Sequence, residues 1–329
     1  MNFTVEVADL KGWAEQVGRA GTDLYAGHTY AQQNLAHAEF GKILELVVDE
    51  YSKLLPEVQS ILQVDSERMD KTRLALIYAA DEYRRTDRNF AGEIAKLDDS
   101  PLVVVDDQVA DGFDDLGSGA SHLVAPTVSA SALPAISLGW PINKAVRLII
   151  NIGGPDVEAT ITSWIAGDIK SAGTQVSAWE HLSACIEAVR KNLEHGQAQI
   201  SKSWTGKASA AEAAYFGKWN TALDNQKTAT AKMGQYLRDA VDQAVDLAQV
   251  VVDTVLLVSG FLIAAWTNAA IPVFGQIKLI QSVREAWTMF NAARKVLLVF
   301  WSLLKTIKDF IVLCHTVLTS ESLPAAPAM

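Results

Sequence analysis

The residue types able to bind a metal or attack a substrate are few in this chain, and their spacing does not assemble a reactive site. His181 and Cys185 stand four apart, which puts an imidazole and a thiol on one helix face at a spacing that two metal ligands can use. No second pair completes a tetrahedral set, so this reads as a core coincidence. His28 interrupts an apolar seam and reads as a single hydrogen-bonded imidazole inside a bundle. No Gly-rich loop follows a strand, so no nucleotide cradle is present. The acids fall on the solvated faces of helices, which excludes a hydrolase triad or a carboxylate pair. No catalytic residue, metal ligand or cofactor is assigned, and the chain reads as a non-enzyme.

Two other constellations carry more information. Ser203-Trp204-Thr205-Gly206 is a tight break between long helical patterns, where Gly206 can take positive φ and the Trp204 indole can fold back over the end of a hairpin. Tyr83-Arg84-Arg85-Thr86-Asp87 places an acid one helical turn beyond an aromatic on the same face. Tyr78 and Glu82 repeat that spacing, but Tyr78 falls off the main apolar seam.

The elements that must position these residues are helices. Half of the 329 residues are apolar and only nine are proline, which favours long helices over a Gly/Pro-punctuated β fold. Leu10, Trp13, Val17, Ala20, Leu24, His28, Ala31 and Leu35 form a heptad-like seam. After a lapse at Phe40-Gly41, Val48, Tyr51, Leu55, Val58, Leu62, Met69, Leu76, Ala79 and Tyr83 mark a longer second helix, in which Pro56 predicts a kink or a break. Val176, Trp179, Leu182, Ile186, Val189, Leu193 and Ile200 precede the Trp204 turn, and Ala211, Tyr215, Trp219, Leu223, Met233, Leu237, Ala240, Ala244 and Leu247 follow it. Connections this short force each pair antiparallel.

The predicted organisation is therefore a helical hairpin over 1–99, an acidic Ser/Ala/Pro-rich flexible linker over 100–140, a second hairpin over 141–250, a hydrophobic helical hairpin over 251–319, and a disordered tail over 320–329. The net charge of -10 is uneven: 18 acids face 11 bases over residues 1–99, and five Asp with no base occupy 100–140. Neither a nucleic-acid stripe nor a polybasic tail results. Cys185 and Cys314 lie inside apolar helical patterns and read as buried free thiols. Met1 is followed by Glu6, Asp9 and Lys11 with no apolar core, so no cleavable secretory signal is expected.

Residues 254–277 lack charge over 24 positions, which is bilayer length, yet Pro272 and Gly275 break the run and no basic cluster flanks it. A membrane-facing or partner-binding role is therefore assigned to Leu256, Leu257, Phe261, Leu262, Trp266, Phe300 and Trp301, with soluble burial or a conditional membrane state ahead of a constitutive span.

Two hairpins of similar size, one with Trp204-Thr205-Gly206 at its turn and the other with Tyr83 and Asp87 near the end of its second helix, resemble the Trp-x-Gly (WXG) helical-hairpin family exported by type VII (ESX) secretion systems. The first hairpin resembles the secretion-associated branch, which often lacks Trp-x-Gly and here has Phe40-Gly41. The chain departs from the family pattern in that Ala240 stands where Tyr236 would need an acid. The resemblance implies an all-α actinobacterial protein, a substrate or accessory of the secretion machinery, found outside the cell or at its surface. Tyr83 and Asp87 would then be the export signal, with Tyr78 and Glu82 as second choice, and Trp204 and Gly206 the hairpin turn. It also implies pairing, either between the two hairpins of this chain as a pseudo-dimer or with another hairpin protein. A linker of about 40 residues spans roughly 35 Å if flexible, enough for the first arrangement. Two readings from other classes stay open: an integral membrane or pore-forming protein, and a cytoplasmic coiled-coil adaptor.

Overall fold

The structure, a computed structural model, describes residues 4–35, 45–98, 109–128, 169–268 and 274–327. It is all-α, as the periodicity predicts: α1 (Val7–Asn34), α2 (Glu45–Asp98), α3 (Ile169–Ile200), α4 (Lys207–Asn268) and α5 (Phe274–Val317), with a short 3-10 turn at Gly119–His122 between α2 and α3 and another at Ser320–Ser322 after α5. Among the described residues no strand forms, and the one β-bridge pairs Thr4 with Thr205.

The seams predict the core. Every residue named above on the seams of α1 and α3 is buried, and Trp13, Trp179 and Trp219 are fully so. Along α1 and α2 partner numbers run in opposite directions: Gly21 lies on Met69, Gly27 near Leu62, and His28 Nδ1 is 2.8 Å from the Gln59 carbonyl. On α3 and α4, Gln197 reaches Glu212, Arg190 reaches Asn220, and Ser183 Oγ donates to the Lys227 carbonyl, again antiparallel. The pairs meet through α1 on α3, where Tyr30 Oη lies 2.9 Å from His181 Nδ1, and through α2 on α4, where the hydroxyls of Thr72 and Tyr215 are 2.8 Å apart.

Several boundaries differ from expectation. α2 runs unbroken through Pro56, which sits on its exposed side, so the proline costs one backbone donor without splitting the helix. α4 is one helix of 62 residues, about 93 Å long, so the expected boundary at 250/251 falls inside it. Ala211 is exposed rather than part of the core. The tail expected to be disordered from 320 is tied down at its start: Leu323 and Pro324 are buried, and their carbonyls accept from Arg68 at 3.1 and 2.9 Å. The C-terminal half of α5 packs on the rest of the bundle, with His315 Nδ1 2.6 Å from Glu57 Oε2 and the Tyr236 and Phe310 rings 5.0 Å apart. Phe40 and Gly41, and the first part of the hairpin expected over 141–250, up to residue 168, lie outside the described residues.

The largest correction concerns the linker. Residues 109–128, expected to be flexible, form a strap in the groove between α1 and α3. Phe113 is buried against Gly12, where a Cβ would come within 2.5 Å of the ring. Gln16 and Asn192 hold the strap backbone at Asp114, Leu116 and Gly117. Asp23 accepts from Ser118 Oγ, Gly119 N and Ala120 N at 3.2, 2.6 and 3.1 Å. Aspartate-rich, glycine-rich composition predicts mobility, but polar side chains on the helices supply the acceptors and donors that hold this backbone in place. Replacing Asp23 with Ala strands those three donors, at a cost of roughly 2–4 kcal/mol. The expected result is a lower melting temperature and new protease cleavage within 109–128, read by mass spectrometry of a limited digest.

A second buried acid sits in the middle of the bundle. Asp65 on α2 is fully buried beside Gln226 on α4, and neither of its carboxyl oxygens meets a hydrogen-bond partner of good geometry among the described residues. Burial pushes its carboxyl up to about 8, against the opposing effects of Gln226 and Arg68. The folded state therefore holds its proton more tightly than the unfolded state, whose value is near 3.8. Stability from this site is greatest below that lower value and is lost progressively as pH rises toward 8. Asp65→Asn removes the effect: the variant should be more stable than wild type by roughly 3 kcal/mol at pH 8, with the gap closing toward pH 4, in denaturant melts across pH.

Candidate functional site

The chain reverses between α3 and α4 in four steps that each have a local cause. Ile200 ends α3, and its carbonyl accepts from Ser203 N and Trp204 N at 3.2 and 3.0 Å. Gly206 then takes φ +109°, a backbone conformation that L side chains rarely adopt. Its carbonyl accepts from Ala210 N at 3.0 Å, which starts α4. Ser209 Oγ closes the turn by donating to the Trp204 carbonyl at 2.8 Å. The expectation that Gly206 takes positive φ is met.

Trp204 is 4 % exposed, so its indole folds inward rather than projecting from the turn. One ring it meets comes from the other helix pair: Tyr83 of α2 stands edge-on to it, with centroids 6.5 Å apart and planes at 77°. Residues 121 positions apart in sequence thus share one end of the bundle. Asp87 lies one turn beyond Tyr83 on α2 and is exposed. The alternative pair differs in both members: Tyr78 is 61 % exposed, and Glu82 is engaged by Arg85 at 2.6 Å.

Three features of this end were not anticipated. Thr4 pairs with the tip of the turn: Thr205 N donates to the Thr4 carbonyl at 2.9 Å, and the two hydroxyls are 2.7 Å apart. Trp13 Nε1 donates to Glu212 Oε1 at 2.7 Å, while Gln197 Nε2 donates to Glu212 Oε2 at 3.0 Å. Burial raises the Glu212 carboxyl above its ordinary range, and those two donors oppose the shift. An aromatic layer backs the turn, with Phe216 4.7 Å from Trp13 and Tyr215 5.5 Å from Phe216. The residues at 212, 215, 216 and 219 recur at helical spacing, a signal that marks one face of α4 but not what lies across from it.

At this end the Glu212 carboxylate is paired, whereas the buried Trp204 Nε1 and Gln197 Oε1 meet no hydrogen-bond partner among the described residues; Thr205, Gly206, Asp87 and the flanking Lys202, Lys207 and Arg88 are exposed. Elsewhere, burial pushes the Cys185 and Cys314 thiols up to about 12, so neither supplies a thiolate at neutral pH. Among the described residues no cluster of His, Cys, Asp and Glu is placed to hold a metal ion. His181 and Cys185 are each occupied, by Tyr30 and the Val124 carbonyl and by the Asp23 carbonyl respectively.

The residues assigned a membrane or partner role fall in two groups. Leu256, Leu257, Phe261, Leu262 and Trp266 belong to α4, whose backbone alone is described there. On α5, Phe300 is buried at 4 % and belongs to the core, a correction to its assignment as a contact residue, whereas Trp301 is 58 % exposed. Within the described residues no helix is long and apolar enough to cross a membrane. Compared with protein-family models, with curated proteins and with solved structures, the chain matches none.

The ring pair gives a direct test of how this end is held. Trp204→Ala should cost about 3–5 kcal/mol and Tyr83→Ala about 1–2 kcal/mol. In a double-mutant cycle by chemical denaturation the two should couple by about 1 kcal/mol, and strict additivity would mean that the edge contact contributes nothing.

Proposed function

We propose that this protein is a non-enzymatic substrate or accessory of a type VII secretion system, exported through Tyr83 and Asp87 and acting by helix–helix binding. The observation that carries the reading is the meeting of Tyr83 with Trp204: the two marks of the Trp-x-Gly hairpin family, split between the halves of this chain, stand at one end of the bundle. Gly206 in its left-handed conformation supplies the turn, and exposed Asp87 leaves a carboxylate within reach of a receptor. In this reading α1 and α2 act toward α3 and α4 as a partner hairpin does in the family, so the pairing is internal. The secretion machinery is the partner, and the secreted or surface-bound protein the product.

The roles of the two signal residues differ. Tyr83 is partly buried and positions the end, so its loss removes both packing and recognition; Asp87 is exposed, so its loss removes recognition alone. In the native host, Asp87→Ala should abolish accumulation in culture filtrate at unchanged intracellular level and unchanged melting temperature. Tyr83→Phe should retain export, because the ring that meets Trp204 is kept. Normal export of Asp87→Ala would sink the assignment, and a wild type that never leaves the cell would return the membrane and adaptor readings to the front.

A further inference from the structure

The C-terminal half of α5 has two faces, and only one is used by the fold. Phe300, Leu304, Ile307, Ile311, Cys314 and Leu318 recur every three or four residues and are buried. On the opposite side Leu298, Val299, Trp301, Val312 and Leu313 are exposed at 57, 59, 58, 48 and 57 %. These are five of the twelve large hydrophobics most exposed among the described residues, gathered on about four turns of one helix. Scattered exposed apolar residues need no explanation, but a cluster on one face does.

Charge decides between occupants. In sequence, α5 has six bases, Lys278, Arg284, Arg294, Lys295, Lys305 and Lys308, against two acids, Glu285 and Asp309, in a chain whose net charge is -10. Each of the other four helices is neutral or net acidic. Lys308 is drawn toward Glu50 at 3.9 Å, but Lys295 and Lys305 are exposed beside the apolar residues. Lys305 lies between Trp301 and Val312 along the helix, where its stem can cover apolar surface while the ammonium reaches outward. Ser302, Thr306, Asp309 and Thr316 complete the face, so it is not apolar enough to enter a hydrocarbon core whole. A second copy of the chain would bring two net-basic helices together, which opposes pairing. An anionic bilayer supplies both complements at once, negative headgroups for the lysines and acyl chains for Trp301 and its neighbours.

We propose that the outward face of α5 from Leu298 to Leu313 is a reversible docking surface for an anionic lipid bilayer, with the helix lying in the interface plane. This goes beyond the export reading and does not depend on it, because it concerns what the purified chain binds. The test is co-sedimentation of the full chain with vesicles of phosphatidylglycerol and phosphatidylcholine, beside vesicles of phosphatidylcholine alone. Pelleting is expected with the anionic vesicles and not with the neutral ones, reversed by high salt and by alkaline carbonate. The double variant Trp301→Ser/Leu313→Ser and the double variant Lys295→Glu/Lys305→Glu should each weaken binding by roughly tenfold or more. All four positions are exposed, so circular dichroism melts should stay at the wild-type temperature. Absence of pelleting, or equal pelleting with neutral vesicles, would overturn the proposal. So would retention after carbonate, which would mean insertion. A wild-type dimer in light scattering that the Trp301→Ser/Leu313→Ser variant dissolves, without vesicle binding, would assign the face to a second copy instead.

Discussion

How closely the helices approach one another is decided by Trp13. Its fully buried indole crosses α3 at Gly196, where a Cβ would collide with the ring and with Gln16 Oε1. The same indole donates to Glu212 on α4 and leans on Phe216, so three helices share one side chain. Glycine in a helix interior costs about 1 kcal/mol relative to alanine. Burial of a large aromatic contributes more than that, so the glycine is tolerated as the condition for the ring's position. The Trp204 turn follows Gly196 by eight residues, so the crossing also fixes where that turn stands relative to α2. The Tyr83 contact is downstream of it.

Beside the apolar seam of α1 runs a polar one at intervals of seven: Gln16, Asp23 and Tyr30. Gln16 reaches the Asn192 and Asp114 carbonyls, Asp23 gathers the donors at 118–120, and Tyr30 meets His181. Ordering a strap costs on the order of 1–2 kcal/mol per residue in backbone entropy, so it persists only where each short stretch finds partners. That requirement accounts for the density of contacts between 110 and 124 and for the glycine at 119, where a side chain would press on Asp23, Val189 and the Cys185 carbonyl. A hydrophobic groove alone would hold Phe113 but not the polar backbone on either side of it.

The helices and their inward faces were legible in the sequence because periodicity reports burial directly. Leu10, Trp13, Val17 and Val176, Trp179, Leu182 are buried for the reason their spacing suggests. What the spacing could not reveal was which element covers a given face. Composition predicts a mobile strap because it describes a segment's own tendencies, whereas the strap's order comes from side chains such as Asp23 and Asn192 that are remote in sequence. Asp65 is hidden for a related reason: one acid among twelve on α2 gives no sign that it faces Gln226 rather than water. At the candidate site the turn between the two helices was legible, as was the glycine's conformation. The Thr4 bridge and the Trp13–Glu212–Gln197 cluster were not, since each joins residues about 200 positions or one whole turn region apart, with no local motif at either end.

The arrangement separates two surfaces rather than building one site. Tyr83 marks one region of α2, while α5 rests on the same helix at Glu50 and Glu57. Twenty-six residues of continuous helix separate Glu57 from Tyr83, about 39 Å at the rise of an α-helix. Over that distance, screened charges on the two surfaces do not feel one another at physiological salt. Coupling between them would have to travel through the interior, and the path passes the buried Asp65–Gln226 contact, where neither side chain is held by a well-formed hydrogen bond. A bundle held only by apolar packing would be uniformly stiff along this length. An unsatisfied acid in the middle layer adds a cost there that grows as pH rises toward 8, the range in which the carboxyl gives up its proton.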